Sequence, residues 1–154
     1  MLSVNDSLPS FSLPSTNEGK ISSDDLLGKN VVIYFYPKDS TPGCTIEAND
    51  FSNKIDQFKD VNTIVLGVSK DSIKSHLNFI TKQCIAFDLI SDTEAELCEK
   101  FGVWKEKSMF GKKYMGIERT TFFINTNGII KKVWNKVKIH SHVEQVFRDI
   151  QSLL

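Results

Sequence analysis

The hydrophobic positions of this 154-residue chain fall into short blocks whose spacing alternates between that of strands and that of helices. Val31-Val32-Ile33-Tyr34-Phe35-Tyr36 is an unbroken run of β-branched and aromatic residues. A strand with one wet face alternates apolar and polar side chains, so an unbroken run predicts a strand covered on both faces, at the centre of a sheet between helices. Residues 63–68 have the same character, and residues 87–90 predict a third, shorter strand. Between the strands the period lengthens. Ile46, Phe51, Ile55 and Phe58 predict an amphipathic helix after a loop at 38–43, and Ile73, Leu77 and Ile80 predict the apolar face of a helix over 69–83. A short helix at 93–101 is closed by Gly102.

The two ends of the chain read differently. Residues 8–14 alternate as a half-buried strand does; a turn at Asn17-Glu18-Gly19, a return strand opened by Ile21 and a capped helical turn at 22–28 follow. Residues 120–124 and 129–134 flank the turn Asn125-Thr126-Asn127-Gly128, which predicts an antiparallel hairpin, and residues 143–153 form a last helix. With right-handed crossovers this order predicts an α/β fold, a mixed central sheet between helices with an N-terminal β extension. No repeat, low-complexity tract or linker interrupts it, so one domain over residues 1–154 is expected.

Composition narrows the functional classes. Hydrophobic residues at 40% and charged residues at 25% suit a soluble globular chain. The 19 basic and 19 acidic side chains cancel, and no block of five like charges occurs, so neither a nucleic acid nor a membrane is an expected partner. The N-terminus lacks the basic start and apolar stretch of a signal peptide, and three cysteines do not make a disulfide framework. A reducing, cytoplasmic setting is expected, in which each cysteine is a buried small hydrophobe or a reactive thiol. His76, His140 and His142 lack zinc-site company, so a capping turn or solvated surface is expected for them, with no metal and no cofactor. Only Arg119 and Arg148 are arginines, in a chain that otherwise uses lysine.

Cys44 lies eight residues past Tyr36, at the first turn of the helix after the central strand. Ligands of open α/β sheets bind beyond the carboxyl ends of the strands. A helix start also offers unpaired N–H groups and a partial positive charge, and both favour a thiolate over a thiol. Gly43 lets the backbone approach whatever binds there, and Pro42 stiffens the loop.

The segment Phe35-Tyr36-Pro37-Lys38-Asp39-Ser40-Thr41-Pro42-Gly43-Cys44-Thr45 carries the spacing Pro-x-x-x-Thr-x-x-Cys, which resembles the peroxidatic signature of peroxiredoxins. The longer string, together with Phe101-Gly102-Val103-Trp104 and the stretch from Met109 to Phe122, is similar to the peroxiredoxin Q, or bacterioferritin comigratory protein, group. The resemblance runs over nearly the whole chain and implies a thioredoxin-like fold, with which the element order is compatible. It implies a thiol-dependent peroxidase acting on hydrogen peroxide and organic hydroperoxides through a Cys44 sulfenic acid. By the same resemblance Thr41 binds thiolate and peroxide, Pro37 shields the sulfur, and Arg119 holds the site positive and orients the peroxide. Glu47 anchors that arginine, and the N–H groups of Gly43 and Cys44 complete the donors. Electrons come from thioredoxin or another thiol reductant, no cofactor is bound, and a monomer is expected.

The sulfenic acid must be reduced, and two routes stay open. The group's resolving cysteine five residues on is here Asn49, and another position it uses corresponds to Ile80, one turn before Cys84. A shift of four residues keeps much the same helical face, so Cys84 is a displaced candidate resolver. Direct reduction by an external thiol is the other route. Cys98, beside Leu97 and Phe101, reads as a packing residue. Two further alternatives share the fold. A thioredoxin-type disulfide reductase needs Cys-x-x-Cys at the helix start, whereas Thr45-Ile46-Glu47 follows Cys44. A thioredoxin-fold redox or binding protein without peroxidase turnover predicts no peroxide-dependent consumption of a thiol.

Overall fold

In the computed structural model, which describes residues 1–17 and 19–154, the chain opens with two short antiparallel strands, β1 (Ser12–Ser15) and β2 (Gly19–Ser22), and a 3-10 turn (Ser23–Leu26). Glu18, in the turn expected between them, lies outside the described residues. Then come β3 (Asn30–Phe35), α1 (Pro42–Asn53), α2 (Ile55–Asp60), β4 (Thr63–Ser69), α3 (Ile73–Gln83), β5 (Asp88–Ser91) and α4 (Glu96–Phe101). The chain ends with β6 (Trp104–Met109), β7 (Lys112–Ile117), β8 (Thr120–Ile124), β9 (Ile130–Trp134) and α5 (His142–Leu153).

Seven strands form one mixed sheet in the order β2-β1-β5-β4-β3-β8-β9. Strands β3, β4 and β5 run parallel, whereas β8 lies antiparallel to β3 with Phe35 opposite Thr120. All of β3 is buried, as its unbroken apolar run requires. Alternate residues of a strand face opposite sides, and β3 divides accordingly. Val31, Ile33 and Phe35 join Leu97, Phe101 and Phe122 in one core; Val32, Tyr34 and Tyr36 join Ala48, Phe51, Phe79 and Val146 in the other. The mixed α/β architecture expected from the pattern is present. Both edges of the sheet carry lysine, Lys20 on β2 and Lys131 on β9.

Several expectations are corrected. The helix expected at 69–83 begins at Ile73, because Ser69 ends β4 and Ser72 caps the helix through Ser75 N–H. Ile46 and Leu77, expected in buried stripes, are exposed; the buried residues are Cys44, Glu47, Ala48 and Phe51 on α1, and His76 and Phe79 on α3. The helix expected to run through Ile55 breaks at Lys54. There the ammonium pairs with Glu144 at 2.8 Å and sits over the Phe147 ring, so α5 draws Lys54 out of line.

The hairpin β6–β7 was not anticipated at all. Its link, Phe110-Gly111, has positive φ at both residues (51° and 76°), as a two-residue hairpin turn requires. Asparagine is the usual first residue of such a turn; here it is a phenylalanine 98% exposed.

Candidate active site

Helix α1 sets the position of Cys44. Pro42 starts the helix, where its missing N–H costs nothing, and Cys44 is its third residue. Ala48 and Phe51 seat the helix on the sheet, with the Phe51 ring stacked on Tyr34 at 4.6 Å between centroids. Burying a side chain such as Phe51 contributes about 1.5–3 kcal/mol. The first backbone bond of the helix is Thr45 N–H to Thr41 carbonyl at 2.9 Å, so the N–H groups of Gly43 and Cys44 precede the ladder and face outwards from it. Cys44 itself is 1% exposed.

Arg119 reaches Cys44 from between β7 and β8. Its Nη2 donates to Cys44 Sγ at 3.2 Å and its Nη1 to Glu47 Oε1 at 2.6 Å. The guanidinium thus bridges two residues one helical turn apart, and its own carbonyl accepts from Val137 N–H at 3.0 Å. Burial works against the charge on Arg119, but Glu47 and Cys44 outweigh it and raise its pKa. The two partners do not respond alike, because Glu47 has no exposed surface and burial pushes its carboxyl up to about 7 despite the pull of Arg119. The asymmetry has a visible cause: Glu47 Oε2 has no hydrogen-bond partner among the described residues, so only half of the carboxylate is stabilised.

A pH effect on stability follows. Between pH 4.5 and about 7 the folded state holds a proton on Glu47 that the unfolded chain releases, so ionisation of this group lowers stability as pH rises through that window. Glu47→Gln cannot ionise. Its melting temperature is expected to gain on the wild type from pH 4.5 to about 7 and then hold a constant difference; melts at half-unit steps that run parallel throughout would refute this.

The remaining expected residues occupy distinct places. Thr41 immediately precedes α1, and its hydroxyl donates to the Lys38 carbonyl at 2.8 Å rather than to Cys44. Pro37 is exposed just past β3. A Cβ on Gly43 would lie 2.7 Å from Ile139 Cδ1 and 3.6 Å from Arg119 Nη2, so any larger residue there would have to displace the tip of the Ile139 side chain. Cys84 is exposed in a left-handed conformation at the end of α3, and all three cysteines are free thiols. Asn49 Nδ2 lies 3.5 Å from Gln83 Oε1, which puts the second turn of α1 beside the end of α3. Cys98 is fully buried, and burial together with Asp92 pushes its thiol strongly up, away from reactivity.

Two histidines expected at the surface are buried instead. His142 Nε2 meets the Thr121 hydroxyl at 2.8 Å, and burial, then Arg119, push its pKa down to about 4. His76 is enclosed between α3 and the loop that leads to Cys44. Lys107 on β6 also feels the site: burial, then Arg119, lower its pKa. The lysine spacing of that strand held no signal for this. A groove lined by Lys20, Lys29, Lys59 and Asp88 contains none of the expected site residues.

The geometry agrees with what comparison with known proteins finds. Residues 4–133 match the AhpC/TSA family. A putative peroxiredoxin bcp of Coxiella burnetii is 48% identical over 145 residues, covering 94% of this chain and 96% of that protein. A cysteine-to-serine variant of PrxQ from Xylella fastidiosa superposes with a TM-score of 0.94 at 38% identity, covering 99% of this chain and 97% of its own. The bacterioferritin comigratory protein of Xanthomonas campestris, solved in a study of its alkyl peroxide reduction activity, superposes with a TM-score of 0.89 at 40% identity, covering 96% of this chain and 98% of its own. A thiol enclosed at a helix start under a half-buried arginine therefore stands in a chain that belongs to the AhpC/TSA family, as a peroxiredoxin of the Bcp/Q group.

Proposed function

We propose that this thiol-dependent peroxidase uses Cys44 as the sulfur that attacks the peroxide, with Arg119 and the first-turn N–H groups of Gly43 and Cys44 as the donors around it. The observation that carries the reading is the 3.2 Å contact of Arg119 Nη2 with the Sγ of a buried Cys44 at a helix start. The guanidinium donates directly to the sulfur that this reading makes the nucleophile. The thiolate attacks one peroxide oxygen; the S–O bond forms as the O–O bond breaks, and the departing alkoxide or hydroxide takes up a proton. Arg119 and the helix N–H groups sit where charge moves from sulfur to the leaving oxygen. Thr41 is the remaining donor of this reading, once its hydroxyl turns from Lys38, and Pro37 forms the rim.

Hydrogen peroxide and organic hydroperoxides are the substrate class, the latter supported by the alkyl peroxide activity of the Xanthomonas relative. Thioredoxin or a similar thiol returns the sulfenic acid to the thiol, either directly or through a Cys44–Cys84 disulfide. The second route needs the two Cα atoms within roughly 7 Å. With Cys44 enclosed and Cys84 exposed at the end of α3, it also requires local unwinding of both helices. Three free thiols suit a cytoplasmic setting, and lysines on both sheet edges disfavour edge-to-edge pairing, which supports a monomer.

One equivalent of hydrogen peroxide followed by intact mass and peptide mapping tests the reading. Either one oxygen gained on Cys44 or the loss of two hydrogens with a Cys44–Cys84 peptide is expected, and which of the two appears selects the route. Oxidation confined to other residues would remove Cys44 from its role.

A further inference from the structure

A buried polar cluster separate from the Arg119 site lies behind the loop that delivers Cys44. Asp39, in that loop, is buried, and His76 on α3 has no exposed surface. His76 Nδ1 lies 2.7 Å from Asp39 Oδ2, and its other nitrogen, Nε2, lies 3.0 Å from the Ile90 carbonyl on β5. A carbonyl only accepts, so Nε2 must carry a proton. A carboxylate only accepts as well, so Nδ1 must carry one too. The ring that satisfies both contacts is an imidazolium paired with a carboxylate.

Every element packed around the pair adds to it. The Tyr36 hydroxyl, past the end of β3, donates to Asp39 Oδ1 at 2.6 Å, and Ser75 on α3 donates to Oδ2 at 2.8 Å. Asp71, between β4 and α3, accepts from the Asp39 N–H at 2.8 Å and from Ser69 Oγ at 2.6 Å. Burial works to raise the Asp39 pKa, but the bonds from His76, Tyr36 and Ser75 prevail and hold it below the usual carboxylate range. Asp39, Asp71 and His76 have the composition of a cation site. The facing carboxylate oxygens already accept from protein donors, and His76 Nδ1 is one of those donors, so the cluster is satisfied by protons without a metal.

Resting on the reading of Cys44 as the attacking sulfur, we infer that Asp39 and His76 form a buried charged latch that positions the loop from Pro37 to Cys44 for peroxide attack. Asp39 is the point at which that loop is fastened, by both side chain and backbone, to α3 and the turn before it. Five residues later the same loop delivers Cys44. His76 touches none of the reacting atoms; it acts through Asp39 as a positioning residue. With the latch closed, Cys44 stays enclosed beside Arg119. With it open, the loop moves and the sulfur is uncovered.

The test uses the full-length protein and three measurements. First, nitrogen NMR of histidine-labelled wild type at neutral pH is expected to show both ring nitrogens of His76 protonated. Second, His76→Phe is expected to lower the second-order rate of Cys44 oxidation by peroxide on the order of 10- to 100-fold, the scale of a misplacement of about 1 Å. Third, the same variant is expected to raise alkylation of Cys44 by a bulky maleimide, followed by peptide mapping, by about tenfold, since an opened loop uncovers the sulfur. His76→Asn, whose amide can donate to Asp39 from the place of Nδ1, is expected to recover most of both rates.

A merely structural pair would lower the melting temperature and leave the native-state rates at wild-type values, and that result overturns the latch. A bare ring nitrogen on His76 overturns it as well, and this measurement stands even if His76→Phe does not fold. Peroxide oxidation that bypasses Cys44 in the wild type would instead overturn the reading beneath it.

Discussion

Cys44→Ser is expected to abolish peroxide-dependent oxidation of a thiol reductant, a loss on the order of 10⁴-fold or more. Serine is nearly isosteric, and its hydroxyl still accepts from Arg119, so the helix start should keep its shape. What it lacks is the polarisable sulfur, which is the stronger nucleophile and the atom that can be oxidised to a sulfenic acid. The donors that remain around the site can bind a peroxide without breaking it. A coupled assay with a dithiol reductant, run beside thermal melts of both proteins, measures this directly. A variant that folds normally and retains more than a tenth of the activity would show that another residue attacks.

Arg119→Met is expected to carry the second-largest loss, about 10²–10³-fold in the rate of Cys44 oxidation, the usual scale for removing a donor aimed at developing charge. It should also cost stability, because Glu47 keeps its buried place and loses its only hydrogen-bond donor among the described residues. Breaking a buried pair by removing one partner costs about 3–5 kcal/mol. The stability loss should shrink in the double variant with Glu47→Gln, whereas the rate loss should persist, since the sulfur still lacks its donor. Arg119→Lys separates charge from shape. One ammonium cannot reach Sγ and Oε1 as two separate Nη atoms do, so an intermediate rate is expected. Stopped-flow peroxide oxidation well below the melting temperatures decides it, and a methionine variant as fast as the wild type would remove Arg119 from the reaction.

Legibility in the sequence followed how locally each feature is encoded. β3 was readable because six consecutive apolar residues admit one environment, and the β8–β9 turn was readable because Asn125 Oδ1 accepts from the N–H groups of Asn127 and Ile129 within the same few residues. Cys44, Thr41 and Pro37 share one short segment and carry a motif. Arg119 and Glu47 were assigned by resemblance, and their bond to each other spans 72 positions. The failures are of the opposite kind. Strands β6 and β7 carry Lys105, Lys107, Lys112 and Lys113, so no apolar alternation marks them, and the turn between them opens on Phe110, a residue that carries no turn signal. Ile46 fitted the helical period, yet the side of α1 turned inward is the one bearing Glu47, since pairing with Arg119 favours it there over an apolar neighbour. His76 looked like a surface residue because its partners, Asp39 and the Ile90 carbonyl, come from two other parts of the chain.

The antiparallel placement of β8 against β3 has a consequence for where side chains can be recruited. In a wholly parallel sheet only the residues that follow strands arrive at the ligand edge, and those that precede strands emerge on the far side. Turning one strand around removes that restriction: the stretch leaving β3 and the stretch entering β8 come out at the same rim, with Phe35 opposite Thr120. Had β8 run the other way, its five residues would have carried position 119 roughly 17 Å to the opposite rim. A nucleophile supplied from upstream and a cation supplied from downstream are neighbours here because of a single reversal in chain direction.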